Sequence, residues 1–261
     1  MPIRWPWKRT DEIAIEWREL GWDIHSHLAP GVDDGATNVD EALDMVRGMS
    51  ALGYRGMVIT PHIMADLYPN NPETLRPAFA KLQQAVSDLD IHMELQLAAE
   101  YHMDHEFMAL LPEGELMTIP WEYEGNHKTL VLVEFGFHQA PEQAMVEEVL
   151  FTLQTRGITP LLAHCERYPY LHRNDNLLRM WFDRGGWLSI NAASLVGAYG
   201  PETKEMAERA MQAGWVSFLC TDAHGMRHVH AMASLVRSKI VKQWLESGHS
   251  KHAGLGVRPK I

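Results

Sequence analysis

Short apolar runs alternate with amphipathic stretches of helical period along most of the chain. Residues 22–25 read as a first strand. Asn38 then caps a helix in which Ala42, Leu43, Met45, Val46, Met49 and Leu52 recur on one face, and Gly53 ends it. Gly-Met-Val-Ile-Thr at 56–60 is a second strand, stopped by Pro61, and a helix follows over 72–89. A third strand at 91–99 leads into a short helix and a turn-rich stretch at 112–121. Thr-Leu-Val-Leu-Val-Glu-Phe at 129–135 is the fourth strand. A helix over 142–156 closes at Gly157, and residues 158–163 form the fifth strand. Helix 176–184, strand 187–191, helix 202–213, strand 216–221 and a long final helix over 229–247 complete the series.

Seven strand–helix units with near-continuously apolar strands mean parallel β-structure covered by helices. The polar positions sharpen the topology. Side chains able to ligate a metal follow strand 1 (His25, His27), strand 2 (His62), strand 3 (Glu100), strand 4 (Glu134), strand 5 (His164) and strand 7 (Asp222, His224). An open doubly wound sheet gathers ligands mainly at one switch point, whereas a closed barrel brings its strand C-termini to one rim. The expectation is a distorted (β/α)7 TIM-like barrel occupying residues 21–261, preceded by a Trp-rich extension at 1–20. That extension suits either a subunit contact or a cover for the barrel's N-terminal face, and the oligomeric state stays open.

Composition narrows the class. With 46% hydrophobic residues in a chain of 261, a sizeable core can be buried. There is no apolar run of about 18 residues to span a membrane. The first ten residues lack the apolar stretch of a signal peptide, so a cytoplasmic protein is expected. A formal charge of −11 argues against a nucleic-acid partner. Cys165 and Cys220 make no disulfide framework and read as buried free thiols in a reducing compartment.

Several stretches then line up in one order: Asp-Ile-His-Ser-His-Leu-Ala-Pro-Gly-Val-Asp-Asp-Gly at 23–35, Thr60-Pro61-His62, Ala99-Glu100, Val133-Glu134-Phe135, Ala163-His164-Cys165-Glu166-Arg167, Ser194-Leu195 and Thr221-Asp222-Ala223-His224. Together they resemble the PHP (polymerase and histidinol phosphatase) family, and within it the capsule-type bacterial protein-tyrosine phosphatases. The similarity spans residues 21–247. It implies a metal-dependent phosphomonoesterase with three divalent ions, manganese first, with iron or zinc as alternatives. Three such ions would offset about six of the negative charges. Matched residue by residue, the implied ligands are His25, His27, Asp34, His62, Glu100, Glu134, His164, Asp222 and His224, with Arg167 and Arg227 holding the phosphate. The implied partner is a phosphotyrosine protein, the tail of a tyrosine autokinase that controls capsular or exopolysaccharide synthesis. A small-molecule phosphatase of the histidinol-phosphatase kind is the alternative. Cys165 stands where this branch commonly has proline, while the flanking residues match.

The chemistry of these residues can be weighed without the resemblance. His-x-His on a strand puts both imidazoles on one face, as two ligands of one ion require. Taken alone it is as often structural, and Glu100 or Glu134 alone would pass for an ordinary rim carboxylate. A mixed imidazole–carboxylate set suits Mn, Fe or Zn, and the lack of thiolates counts against a structural zinc site. Glu134, following an apolar strand, is costly to bury unless paired or metal-bound. Asp33 and Asp34 compete for one role; the resemblance favours Asp34 as ligand and leaves Asp33 to orient a histidine. Asp23 either does the same or merely starts a strand.

Arg167 and Arg227 each follow a candidate ligand by three residues, and a forked guanidinium matches phosphate oxygens. Arg227 reads equally as a solvent-facing residue at a helix start. Asn191 ends the one strand without a charged ligand and is a candidate donor to substrate. The other ten histidines (His92, His102, His105, His127, His138, His172, His228, His230, His249 and His252) fit no ligand position and read as surface or supporting residues, with the last two on a tail. Cysteine-based phosphatase chemistry fails on spacing: six residues after Cys165 stands Leu171 rather than arginine. Two further readings remain, a metal-bound scaffold that recognises a phosphorylated tail without turnover, and a metal-dependent amidohydrolase on a related barrel. The arginines, and the lack of a suitable strand-end lysine, speak against the second.

Overall fold

In the computed structural model the described residues are 15–256. The strands are β1 (Trp22–Asp23), β2 (Gly56–Ile59), β3 (His62–Ile63), β4 (Glu94–Leu97), β5 (Glu100–His102), β6 (Ile119–Tyr123), β7 (Asn126–Glu134), β8 (Ile158–Leu162), β9 (Trp187–Asn191) and β10 (Val216–Cys220). The helices are α1 (Val39–Leu52), α2 (Pro72–Asp88), α3 (His105–Leu110), α4 (Gln143–Thr155), α5 (Asn176–Asp183), α6 (Ala192–Leu195), α7 (Pro201–Gln212), α8 (Met226–Ser234) and α9 (Lys239–Glu246).

Local chemistry explains the principal helix ends. Asn38 and Asn71 sit in extended backbone and accept the N–H of Glu41 and Thr74, which starts α1 and α2. Gly53, at φ 100°, ends α1 in the left-handed conformation that glycine adopts without penalty.

The strands pair in parallel as two ladders, β1–β2–β4 and β3–β5–β7–β8–β9–β10. The ladders share staves. Pro61, which has no N–H to donate, falls in the gap between β2 and β3. Across that gap Ala98 N–H reaches the Ile59 carbonyl at 2.8 Å and Glu100 N–H the Pro61 carbonyl at 3.1 Å. Beyond the regular ladders, Asp222 N–H donates to the His25 carbonyl (2.9 Å) and His27 N–H to the Ala223 carbonyl (3.0 Å). Those bonds join the first stave to the last, giving the distorted seven-stave barrel read from the sequence.

Alternate strand residues point inward. Trp22, Ile24, Val58, Ala98, Leu130, Leu132, Leu161, Ala163, Phe218 and Cys220 pack as one buried cluster with Trp121 and Leu255. Their neighbours Met57, Ile59, Val131, Val133, Leu162, Leu188 and Leu219 pack outward in the cluster that includes α1, α2, α4, α5 and α7.

Three local features differ from the sequence reading. The turn-rich stretch contains β6, an antiparallel partner of β7 joined to it through Glu124 and Gly125, both at positive φ. As an edge strand β6 tolerates Pro120. The long final helix is two helices, because Ser238 adopts extended backbone and caps α9. The third strand breaks at Ala98-Ala99. The expected tail is also packed: His252 is buried and its Nε2 donates to the Leu219 carbonyl at 3.0 Å. Of the Trp-rich extension, residues 1–14 lie outside the described residues. Residues Trp17 and Leu20 are buried, and Ile15 N–H donates to the Val236 carbonyl at 2.8 Å. No described helix is long and apolar enough to cross a membrane.

Candidate metal centre

All nine residues singled out as ligands meet at the C-terminal rim of the barrel. His25 Nε2 lies 3.2 Å from Glu100 Oε2, and His164 Nε2 lies 3.0 Å from Glu100 Oε1. His62 Nδ1 is 3.1 Å from Glu100 and 3.3 Å from Glu134. His27 Nε2 is 3.3 Å from Asp222 Oδ1, and His224 Nε2 is 3.3 Å from Asp34 Oδ1. Three sets, His27–Asp34–His62–His224, His25–His27–Glu100 and His62–Glu100–Glu134, each hold their ligand atoms within 4.8 Å of one another. His164 and Asp222, each at a strand end, take left-handed φ values of 30° and 49°. Such backbone is unfavourable for non-glycine residues and persists where surrounding contacts enforce it.

The donor set fits a divalent cation. Both carboxylate oxygens of Glu100 and Oε1 of Glu134 are buried without a hydrogen-bond partner, as is Nδ1 of His62. The short approaches to Glu100 and Glu134 therefore lack hydrogen-bond geometry, and donor atoms crowd a shared space instead of pairing. Four carboxylates, Asp34, Glu100, Glu134 and Asp222, share that space. Buried anionic oxygens left so are costly without a cation. Burial opposes charge on His27, yet the surrounding carboxylates of Asp222, Asp33 and Glu100 raise its pKa well above the usual value. The site draws positive charge inward.

A supporting layer fixes these ligands. Asp33 Oδ2 accepts from His27 Nδ1 at 2.9 Å and from the His62 N–H at 3.1 Å, while Oδ1 accepts from Gly35 N–H. His27 is thereby oriented with Nε2 toward the site, the role expected of Asp33. His224 Nδ1–H donates to the Asp222 carbonyl at 2.9 Å, which leaves its Nε2 lone pair facing Asp34. Asp23 binds the hydroxyl and N–H of Thr221 and so braces the Asp222 segment. Asn191 donates its amide to Asp222 Oδ2 at 2.7 Å and is committed to that carboxylate, not to substrate. Buried Glu166 accepts from the Asn191 N–H and the Ser194 hydroxyl.

Beside the ligands opens a cavity of about 180 Å³, lined by Asp34, His62, Glu134, His164, Asp222 and His224 together with Phe137, Arg167, Tyr199, Arg227 and His228. Arg167 donates to Asp222 Oδ2 at 3.2 Å, and its guanidinium lies 4.2 Å from the Tyr199 ring and 5.0 Å from that of Phe137. Arg227 is exposed on the same cavity. Burial pushes the Cys165 thiol well above its usual pKa, which removes it from thiolate chemistry. Phe137 and Tyr199 escaped the sequence reading, as did Tyr68, which stacks on His62 at 5.4 Å. His102 and His228, read from sequence only as surface or supporting residues, border the site: His102 Nδ1 is 3.4 Å from Glu134, and His228 Nδ1 accepts the His224 N–H. Their only sequence signal is proximity to strand ends.

The chain is similar to several known proteins. The tyrosine-protein phosphatase YwqE of Bacillus subtilis is 29% identical over 215 residues, 82% of each chain. The tyrosine-protein phosphatase CpsB of Streptococcus pneumoniae is 26% identical over 209 residues, covering 78% of this chain and 83% of the other. A chain from the crystal structures of YwqE and CpsB, described as metal-dependent tyrosine phosphatases, superposes with a TM-score of 0.71 at 27% identity, over 86% of this chain and 91% of that one. A histidinol phosphate phosphatase from Lactococcus lactis shares the fold, with a TM-score of 0.51 at 14% identity, over 86% and 93% of the two chains. Residues 21–248 match the CpsB/CapC capsular polysaccharide synthesis family, and the chain belongs to it.

Proposed function

We propose that this protein is a metal-dependent protein-tyrosine phosphatase of capsular or exopolysaccharide synthesis. The observation that carries the reading is the coincidence, in one cleft, of unpartnered buried carboxylate oxygens with two arginines. Three divalent ions, manganese first, would be held by His25, His27, Asp34, His62, Glu100, Glu134, His164, Asp222 and His224. When bound, such ions supply Lewis acidity and a water acidified toward neutral pH. The chain's own contribution is positioning and charge. Arg167, held by Asp222 and by two rings, presents a forked donor to the phosphate, and Arg227 adds positive charge at the mouth. Both offset the charge that phosphoryl transfer spreads over the equatorial oxygens. A phenolate is a good leaving group, and no covalent enzyme intermediate is required.

The substrate is a phosphotyrosine protein, in this reading the tail of a tyrosine autokinase. The two relatives described above as tyrosine-protein phosphatases support this over histidinol phosphate, whose phosphatase shares only the fold. The test is turnover of a phosphotyrosine peptide against histidinol phosphate, with Mn²⁺ restored after chelation and His25→Ala as control. Peptide turnover that depends on the metal, and is lost in His25→Ala, is expected. Chelator-resistant turnover would overturn the metal assignment, and preference for histidinol phosphate the substrate.

A further inference from the structure

Tyr199, in the loop between α6 and α7, lines the cavity and lays its ring against the Arg167 guanidinium at 4.2 Å. Its hydroxyl is 3.3 Å from Nε2 of the buried His228. The direction of that hydrogen bond follows from the other side of the imidazole. His228 Nδ1 lies 3.0 Å from the backbone N of His224, and a backbone N–H can only donate. Nδ1 therefore carries a lone pair, and the single proton of the neutral ring sits on Nε2. Nε2–H then donates to the Tyr199 oxygen and leaves the phenolic proton uncommitted. Among the described residues no other hydrogen bond engages that hydroxyl. Arg227 Nε–H also points at Nε2, at 3.4 Å, and competes for that nitrogen; the shorter bond at Nδ1, from a backbone N–H that cannot turn away, sets the tautomer.

The cleft wall thus carries three sets of donors, on Arg167, Arg227 and Tyr199, around the cavity of about 180 Å³. We propose that Tyr199 is a substrate-binding residue for phosphate monoesters, its hydroxyl donating to a phosphoryl oxygen and fixed for that task by the His224–His228 pair. This assignment rests on the phosphatase reading above. Neither arginine can be replaced by Tyr199 in charge, but a neutral donor of fixed direction adds orientation that a long guanidinium lacks.

Tyr199→Phe keeps the ring against Arg167 and removes only the hydroxyl. On manganese-loaded protein the dissociation constant for inorganic phosphate, measured by calorimetry, should rise about ten- to hundredfold, the scale of a hydrogen bond to a charged group. kcat/KM for a phosphotyrosine peptide should fall by a similar factor, with the melting temperature nearly unchanged. Side-chain nitrogen NMR of the unsubstituted protein should show His228 protonated at Nε2 and bare at Nδ1. Unchanged phosphate affinity in Tyr199→Phe would overturn the proposal, and so would a His228 protonated at Nδ1. The tautomer measurement holds even if the variant is unstable. Should the unsubstituted protein fail to cleave the peptide, the phosphatase reading falls, while the phosphate affinities still decide the role of Tyr199.

Discussion

Asp33 and Asp34 are chain neighbours with opposite surroundings. Asp34 is half exposed, and the imidazole of His224, with those of His62 and His27 behind it, holds its pKa down to about 2. The Asp33 carboxylate is buried and spends both oxygens on His27, His62 and Gly35. The sequence placed both in one turn but had no means of telling them apart without the resemblance, since either reaches the rim. Asp33→Asn should keep the turn but weaken the acceptor that aligns His27. Metal affinity or turnover is then expected to drop about 10- to 100-fold, the usual cost of losing an orienting partner. Metal titration followed by calorimetry would read it, and an unaltered affinity would remove Asp33 from that role. His-x-His and the strand-end carboxylates were legible because each residue type has few reasons to sit there. Phe137, Tyr199 and His228 were not, because an aromatic or histidine on a loop has many.

At the scale of elements, strands and helices were readable where one periodicity ran without competition, as in β9 and α1. Misreadings fell where two signals overlapped. The apolar spacing of the last helix continues through Ser238, so its cap was masked. The alternation of Ile119, Trp121 and Tyr123 was hidden by Pro120 and the surrounding turn residues. The loop from His27 to Gly35 shows how tightly an irregular element can be specified. A Cβ at Gly35 would land on the His27 carbonyl and Cβ, which cannot step aside without moving that candidate ligand. Ala36 N–H already donates to that carbonyl at 2.9 Å. Gly35→Ala is therefore expected to displace the Asp33–Asp34 turn and lower turnover severely while circular dichroism stays near that of the parent. Full activity in a folded Gly35→Ala protein would show that the turn has slack.

For the molecule as a whole, the charged rim is a liability without its cations. Ligands that bind only the folded state raise its stability by mass action. Metal depletion should lower the melting temperature, and graded Mn²⁺ should restore it; a melting point indifferent to metal would argue against a preformed site. Against the last strand, burial lowers the pKa of His252 from 6.5 to about 3. The unfolded chain binds the extra proton between those values, so this contribution to stability is complete above about pH 6.5 and shrinks as pH falls toward 3. His252→Gln should melt with a shallower acid dependence over that window than the parent. Parallel curves would show that His252 protonates without unfolding.

The bonds that join the first stave to the last have a kinetic consequence. Thr221 N–H reaches Asp23 across 198 positions of sequence, and the adjoining pairs His25–Asp222 and His27–Ala223 are nearly as remote. Contacts of such separation carry a large loop-closure cost and form late. A chain emerging from the ribosome holds His25, His27 and His62 long before Asp222 and His224 exist to join them. The complete ligand set, and with it any hydrolytic capacity, can arise only once nearly the whole chain has been made and the ring has shut.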